Sequence, residues 1–189
     1  MQWQARFVKS ARGLADCPRW NAREIAFAGR SNAGKSSLIN ALTGVPGLAR
    51  VSKTPGCTQN INFFALNDGL ALVDLPGHGY ARMSQAAARR IASMIEEYLV
   101  QRERLALLVM IVDVRRGPND DDLALARMSA ERGIGVLVAA SKIDKLKRSQ
   151  KGHAAGRFGA ISTRVIPCSA VDGEGIVALR RAIAGVTTA

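Results

Sequence analysis

Cysteine is scarce in this sequence: the 189 residues include three, Cys17, Cys57 and Cys168. Their number is odd, they lie far apart, and none belongs to a Cys-x-x-Cys pair. A disulfide framework or a cysteine zinc site needs paired cysteines at characteristic spacings. We therefore exclude both, and we expect the protein to work in a reducing compartment.

Long apolar segments are also missing. The longest apolar run, residues 105–112, is far shorter than the roughly 20 residues that a helix needs to span a bilayer. Residues 1–6 contain no apolar core of the kind found in secretory signal peptides. These absences predict a cytoplasmic protein that does not insert into membranes.

Acidic residues are few compared with basic ones. There are 15 of them against 27 lysines and arginines, which gives a formal net charge of +12. A basic excess of this kind attracts polyanions such as RNA or an anionic membrane surface. A basic surface that only keeps the protein soluble is the alternative, because net charge alone identifies no partner.

The sequence does contain a regular alternation of short apolar runs with amphipathic or polar stretches from residue 24 onward. This alternation is typical of βαβ units, and the length suits one domain. We predict an α/β fold with a mostly parallel six-stranded sheet and helices on both faces, formed by residues 24–189 after a basic lead-in of residues 1–23. The predicted strands are 24–28, 61–66, 70–74, 105–113, 134–141 and 164–167. The predicted helices are 35–42, 84–102, one beginning near Asn119 and one following Gly175.

A glycine-rich segment lies between the first predicted strand and the first predicted helix. Residues 29–36 match the P-loop pattern, in which backbone N–H groups and a helix N-terminus meet phosphate oxygens. Lys35 is predicted to reach the β- and γ-phosphates and Ser36 to ligate Mg²⁺. A glycine turn without function is the alternative. The predicted phosphate-binding residues are Gly29, Arg30, Ser31, Asn32, Ala33, Gly34, Lys35, Ser36 and Ser37.

The tetrapeptide Asp74-Leu75-Pro76-Gly77 follows another apolar run. This places Asp74 at the carboxyl end of a strand, where α/β sheets hold ligands. Asp74 is predicted to hold Mg²⁺ through water, and the N–H of Gly77 to meet the γ-phosphate. Alone, Asp-x-x-Gly is often just a turn; the preceding P-loop makes it a stronger indication of a nucleotide site.

Two further segments predict a guanine site. Ser141, Lys142, Ile143 and Asp144 end an apolar run, and the Asp144 carboxylate can accept hydrogen bonds from both N1–H and the 2-amino group of guanine. The stem of Lys142 would lie along the base. Cys168, Ser169 and Ala170 follow the last predicted strand, and the N–H of Ala170 would approach the guanine O6. A solvated loop carboxylate is the alternative for Asp144.

Residues 45–58 have no clear period and predict a long exposed loop, a kind of segment that often carries function. The hydroxyl of Thr58 would complete the Mg²⁺ shell only when a γ-phosphate is present, which makes the loop a switch. Thr54 is the rival for this role, but the proline that follows it makes it the weaker candidate. The predicted nucleotide contacts in this region are Gly56, Cys57, Thr58, Gln59 and Asn60.

The motifs described above, in their order along the chain, resemble those of a TRAFAC-class GTPase. Residues 25–40, 52–64 and 73–77 resemble the bacterial EngB family, also called YsxC or YihA. The resemblance runs from about residue 24 to the last helix. It implies a Ras-like P-loop GTPase fold, hydrolysis of GTP to GDP and phosphate, and a role in assembly of the large ribosomal subunit and in cell division and septation. The candidate catalytic residues are Lys35, Thr58, Gly77 and His78.

The chain departs from the family pattern at three motif positions: His78 stands where Tyr is usual, Cys57 where a basic residue is usual, and Ser141 where Thr or Asn is commoner. Ser141 puts the strength of a hydrogen bond to the P-loop in question. His78 either orients the attacking water or is a surface imidazole. By resemblance to potassium-activated relatives, Asn32 is a candidate K⁺ ligand that would replace an arginine finger, and without such a finger in cis we expect slow intrinsic hydrolysis.

Two alternative functions, and the role of one basic segment, stay open at this point. A P-loop ATPase would take Asp113 as its Mg²⁺ aspartate, and an RNA-binding module would retain only a vestigial nucleotide site. Residues 142–164 carry seven basic residues against Asp144 alone, so this segment either faces RNA or is a mobile solvated loop. We expect a monomer that binds GTP, GDP, Mg²⁺ and ribosomal RNA.

Overall fold

The computed structural model describes residues 3–50, 60–67, 69–79 and 84–187. Within these residues, seven strands form a sheet in the order β1-β3-β4-β2-β5-β6-β7. The strands are β1 (Arg6–Ala11), β2 (Arg23–Gly29), β3 (Ile61–Ala65), β4 (Leu70–Asp74), β5 (Leu105–Asp113), β6 (Gly135–Ser141) and β7 (Val165–Pro167). The α-helices are α1 (Lys35–Thr43), α2 (Gln85–Gln101), α3 (Asp120–Glu131), α4 (Arg148–Lys151) and α5 (Ile176–Ala184).

The central strand is β2, which is parallel to both of its neighbours, β4 and β5. The pairs β5–β6 and β6–β7 are also parallel, whereas β3 is antiparallel to β4 and to β1. The predicted α/β fold with a mostly parallel sheet is confirmed. Because parallel strands end at the same edge of a sheet, the segments that follow β2, β4, β5, β6 and β7 are brought together there.

The sheet has seven strands rather than the six predicted. The extra strand, β1, comes from the lead-in and pairs antiparallel with β3 at the sheet edge, with an irregularity between Phe7 and Lys9. Edge strands leave many side chains in solvent, and Phe7 is 52% exposed. β1 therefore lacks the buried apolar run by which the inner strands were predicted.

Helices cover both faces of the sheet, as predicted. Successive residues of a strand point to opposite faces. Ala26 of β2 belongs to the core cluster that includes Tyr98 of α2 and Ala126 of α3, whereas the next residue, Phe27, belongs to the cluster that includes Leu38 of α1 and Leu179 of α5. Among the helices of the described residues, none is long and apolar enough to cross a membrane.

A buried carboxylate fastens the segment before β2 to the domain. Glu24 is fully buried and accepts hydrogen bonds from Trp20 Nε1 at 2.6 Å, Tyr98 Oη at 2.7 Å and Arg102 Nε at 2.9 Å. Burial of a charged group is costly unless a partner compensates it, and the guanidinium of Arg102 supplies that partner. Glu24 thereby connects the end of the lead-in, the central strand and α2.

Candidate functional site

The loop between β2 and α1 turns tightly at the carboxyl end of the central strand. Asn32 and Gly34 have φ angles of 67° and 98°, in the left-handed region, and the N–H of Ala33 donates to the carbonyl of Arg30 at 3.0 Å. Asparagine is among the few residues with a side chain that tolerate this region. A turn of this kind directs successive backbone N–H groups toward one point, which suits an anion.

The first turn of α1 faces the same point. α1 begins at Lys35 with Gly34 in the cap position and no side-chain cap. Within the described part of the chain, the N–H groups of Lys35, Ser36 and Ser37 have no hydrogen-bond acceptor. The open N–H groups and the positive end of the helix dipole favour a bound phosphate.

Gly29, the last residue of β2, lies directly against the neighbouring strand. A Cβ atom at this position would come within 2.6 Å of the carbonyl oxygen of Ile111 in β5. Any side chain here would push β2 and β5 apart. The P-loop therefore needs glycine at its first position for close strand packing.

Lys35 and Asp74 meet at the centre of the site. The ammonium group of Lys35 donates to Oδ1 of Asp74, and both side chains are buried. Asp74 ends β4, the parallel neighbour of the central strand, which explains why residues far apart in sequence come into contact. The nearby Ser36 hydroxyl and the Asp74 carboxylate are hard oxygen donors of the kind that Mg²⁺ prefers.

The segment after Asp74 packs on the P-loop through its backbone. The N–H of Ser31 donates to the carbonyl of His78 at 3.0 Å, and a Cβ atom on Gly77 would lie 3.2 Å from Ser31 Oγ. Leu75 and Pro76 are buried. A side chain at position 77 would require Ser31 to shift, and the close approach of glycine holds the backbone of Gly77 beside the P-loop.

The imidazole of His78 is buried, with 9% of the residue exposed. Its ring nitrogens face Asp121 and Asp122 in the first turn of α3. Of the two alternatives for His78, the surface imidazole is therefore wrong; the residue pairs with Arg30 in a parallel β-bridge. Burial lowers the pKa of His78, although the carboxylates of Asp122 and Asp121 raise it.

Ser141 and Lys142 connect β6 to the P-loop. Ser141 Oγ donates to the carbonyl of Ala33 at 2.7 Å, and Lys142 Nζ donates to the carbonyl of Asn32. The Cε of Lys142 lies 3.6 Å from where a Cβ of Gly34 would stand. Serine therefore makes the hydrogen bond to the P-loop that its short side chain had put in question.

Asp144 and Ser169 lie side by side, because β6 and β7 are neighbours. Ser169 Oγ donates to Oδ1 of Asp144 at 2.9 Å, and Lys145 Nζ lies 3.2 Å from Oδ2. Burial raises the pKa of Asp144, but the hydrogen bonds from Ser169 and Lys145 lower it, and the net shift is downward. Within the described residues, the N–H of Ala170 has no acceptor, so it stays available beside an ionised carboxylate.

The backbone of the last motif is connected to the same site. The N–H of Ile143 donates to the carbonyl of Cys168 at 3.3 Å, and Cys168 is fully buried. Burial raises the pKa of the Cys168 thiol to about 12. Cys168 is thus an unreactive packing residue that aligns the two guanine motifs.

Comparison with known proteins agrees with this geometry. A family model described as 50S ribosome-binding GTPase matches residues 24–142. The probable GTP-binding protein EngB of Anaeromyxobacter sp. (strain Fw109-5) is 43% identical over 195 residues, which cover 96% of this chain and 90% of the relative. The chain belongs to the EngB family of GTPases.

Two further likenesses support the membership. The probable EngB of Methylococcus capsulatus (strain ATCC 33009 / NCIMB 11132 / Bath) is 48% identical over 143 residues, which cover 76% of this chain and 68% of that protein. A crystal structure of a probable GTP-binding protein EngB superposes with a TM-score of 0.70 at 29% identity, covering 87% of this chain and 98% of that one. As an EngB-family member, the protein is a GTPase.

The position of Asp113 in this EngB-family chain argues against the ATPase alternative. Its carboxylate accepts hydrogen bonds from Arg115 Nε at 2.9 Å and from the Arg115 terminal nitrogen at 2.7 Å, and it lies 3.2 Å from Lys142 Nζ. Burial raises its pKa, but these cations lower it more strongly, to about 2. Asp113 thus holds Lys142 in place and is already neutralised by two cations.

Several predicted contacts lie outside the described residues: Gly56, Cys57, Thr58 and Gln59. Asn60 is described, and its side-chain amide donates to Ser10 of β1 at 3.3 Å, on the side of the antiparallel edge strand. Arg102 and Tyr98 were not predicted as partners of Glu24, and Asp122 was not predicted as a neighbour of His78. The side-chain cap at Asn119 was the available signal for Asp122, since Asp122 is its capping-box partner.

Proposed function

We propose that this EngB-family GTPase is a Mg²⁺-dependent conformational switch that acts in the cytoplasm, as a monomer, during assembly of the large ribosomal subunit. The contact between Lys35 and Asp74 carries the proposal most directly, because it joins the P-loop to the strand end that responds to the γ-phosphate. The matching family model, described as a 50S ribosome-binding GTPase, supports the choice of partner. The proposal includes a role in cell division and septation: when assembly of the subunit fails, normal division would fail as well.

In this proposal the phosphates lie on the N-terminus of α1. Lys35 would leave Asp74 for the β- and γ-phosphates when nucleotide binds. Ser36 would hold Mg²⁺ directly and the freed Asp74 carboxylate would hold it through water, and a bound Mg²⁺ would supply positive charge against the phosphates. The backbone N–H of Gly77 would hold the γ-phosphate in place.

In this proposal, Asp144 recognises the guanine base. The ionised carboxylate, held by Ser169 and Lys145, accepts the paired N–H donors of guanine, a pair that adenine lacks. The N–H of Ala170 donates to O6. The contacts of Ser141 and Lys142 with the P-loop keep the base site and the phosphate site at a constant separation.

The timing element comprises Thr58 and the segment after Asp74. Thr58 completes the Mg²⁺ shell in the GTP state only, and hydrolysis releases both segments. Asn32 is exposed at the turn of the P-loop, and its side-chain oxygen suits a monovalent cation such as K⁺ near the phosphates. Such a cation would replace the arginine finger used by other GTPases.

Ribosome binding uses the basic surface beyond Asp144. Lys147 and Arg148 are exposed, whereas Lys151 is paired with Glu174 at 2.6 Å. The first two are therefore the better candidates for phosphate contacts with ribosomal RNA. They lie outside every nucleotide motif, so charge reversal at both leaves GTP binding intact.

Co-sedimentation with purified large subunits tests the proposal. We expect tighter binding with a non-hydrolysable GTP analogue than with GDP or without nucleotide, and weaker binding as salt rises, because each phosphate contact releases counterions. The double charge reversal at Lys147 and Arg148 flattens this salt dependence. Equal binding in all three nucleotide states refutes the switch, and the RNA-binding alternative with a vestigial nucleotide site would then be favoured.

A further inference from the structure

A buried polar cluster lies beside the P-loop, where three elements meet. We call Arg30, His78 and Asp122 the buried triad. Asp122, in the first turn of α3, is 1% exposed, and its Oδ1 lies 3.7 Å from Nε2 of His78. Nδ1 of His78 lies 3.9 Å from Oδ2 of the exposed Asp121. Both separations are just beyond hydrogen-bond distance.

Arg30 completes the triad from the side of the P-loop. It pairs with His78 in a parallel β-bridge, and its Nε lies 3.1 Å from where a Cβ of Gly79 would stand. Within the described part of the chain, Arg30 Nε, both ring nitrogens of His78 and Asp122 Oδ1 are buried without a hydrogen-bond partner. Buried polar atoms in native proteins are nearly always paired, so four together indicate an arrangement that pairs them in another state of the protein.

The cluster has two ways to complete its hydrogen bonds. A movement of His78 by less than an ångström would bring Nε2 within bonding distance of Asp122. A cavity of about 20 Å³, lined by Arg30, Asp122 and residues 31–33 among others, has room for one water molecule beside the cluster. The other oxygen of Asp122 already accepts from the N–H of Asn119 at 3.1 Å, which fixes the carboxylate on α3.

Charge in the triad favours a neutral imidazole that donates one N–H. Burial lowers the pKa of His78, the carboxylates of Asp122 and Asp121 raise it, and Arg30 and Lys35 lower it. Burial raises the pKa of Asp122. The net shift is downward, which favours a neutral ring that donates one N–H.

The backbone transmits the position of His78 to the phosphate site. Its carbonyl accepts from the N–H of Ser31, and Gly77, one residue earlier, packs directly on Ser31. The backbone of residues 77 and 78 is thus in direct contact with the P-loop. α3, which carries Asp122, approaches this backbone contact through the 3.7 Å separation between Asp122 and His78.

We propose that Asp122 is a positioning residue for GTP hydrolysis: in the GTP state His78 closes onto Asp122 and, with Arg30, holds Gly77 against the γ-phosphate. This inference rests on the proposed placement of Gly77 at the γ-phosphate. The buried triad thus makes α3 part of the machinery that responds to GTP.

The first test uses Asp122→Asn. This substitution keeps the shape of the side chain and an oxygen that can accept from the N–H of Asn119, but it removes the negative charge. Asp120→Asn is the matched control, because Asp120 is an exposed residue of the same helical turn. Single-turnover GTP hydrolysis and GDP affinity are measured separately. We expect Asp122→Asn to slow hydrolysis about tenfold, a coupling typical of residues in contact, with GDP affinity within about twofold of wild type. We expect Asp120→Asn to change neither the rate of hydrolysis nor the affinity for GDP.

A double-mutant cycle with His78→Phe separates positioning from general damage. We expect the double variant to hydrolyse GTP no more slowly than either single variant, and His78→Gln, which retains an N–H donor, to recover most of the rate. A wild-type rate in Asp122→Asn, additive losses in the cycle, or parallel loss of hydrolysis and GDP affinity would overturn the proposal. Full GTP affinity in Lys35→Ala would instead refute the placement of the nucleotide site itself.

Discussion

The hydroxyl of Ser141 donates a 2.7 Å hydrogen bond to the carbonyl of Ala33, joining residues 108 apart in sequence. Ser141 ends β6 and Ala33 lies in the P-loop, so one bond connects the segment that reads the base to the segment that holds the phosphates. Ser141 is buried, and its hydroxyl also lies 3.2 Å from the carbonyl of Val112. We therefore expect the proposed base site and the proposed phosphate site to be mechanically coupled through Ser141.

Ser141→Ala removes this bond and leaves the buried carbonyl of Ala33 without its partner. An unpaired buried acceptor costs about 1–3 kcal/mol, so we expect GDP affinity to fall between about fivefold and a hundredfold. Ser141→Thr keeps the hydroxyl and serves as the control. Titration with a fluorescent GDP analogue measures both variants. Unchanged affinity in Ser141→Ala would show that the other contacts hold the P-loop without it.

Asp144→Asn should exchange the base preference of the site. The amide NH₂ of asparagine donates to the 2-oxo group of xanthine, whereas it cannot accept from the 2-amino group of guanine. We expect GTP affinity to fall and xanthosine triphosphate to bind in its place. Competition binding against labelled nucleotide measures the change, and undiminished GTP affinity in this variant would remove Asp144 from the base site.

The monovalent-cation hypothesis concerns Asn32. If the side-chain oxygen of Asn32 ligates K⁺ beside the phosphates, hydrolysis is faster in KCl than in NaCl, and Asn32→Ala abolishes the difference. Intrinsic turnover stays slow in both salts, on the order of unassisted Ras-like rates. Turnover of wild type and Asn32→Ala in the two salts is the measurement. The same rate in all four conditions would rule out a cation at Asn32.

Glu24→Gln should destabilise the fold without touching the nucleotide site. The substitution leaves the guanidinium of Arg102 without its carboxylate partner, and breaking a buried ion pair costs about 3 kcal/mol or more. We expect a lower urea midpoint and unchanged GDP affinity. Glu103→Gln, at an exposed neighbouring position, is the control. Equal urea midpoints for the two variants would mean that the ion pair between Glu24 and Arg102 does not stabilise the fold.

The inner strands and the nucleotide motifs were predictable because each carries a local signal. The run Leu105–Val112 is apolar throughout, and the predicted strand 105–113 has the same bounds as β5 in the structure. The glycines around Lys35 predicted the loop between β2 and α1. The edge strand β1 was missed because an edge needs no continuous apolar run, and half of Phe7 lies in solvent.

The contacts that depend on the register of distant elements could not be predicted. Nothing near His78 in the sequence indicates that the first turn of α3 would face it, so the surface imidazole stayed open as an alternative until the structure excluded it. Glu24 lies at a strand start, where a charged residue is expected to be exposed. Its burial follows from Tyr98 and Arg102, which α2 brings to it from 74 and 78 residues away.

The affinity of Asp144→Asn for purified large ribosomal subunits tests the central proposal most directly, because it makes the nucleotide itself the only variable. Binding is measured with non-hydrolysable analogues of GTP and of xanthosine triphosphate, and wild type is measured in parallel. We expect the xanthine analogue to promote binding of the variant and the guanine analogue to promote binding of wild type. Equal binding of the variant with both analogues would contradict a switch controlled from this site.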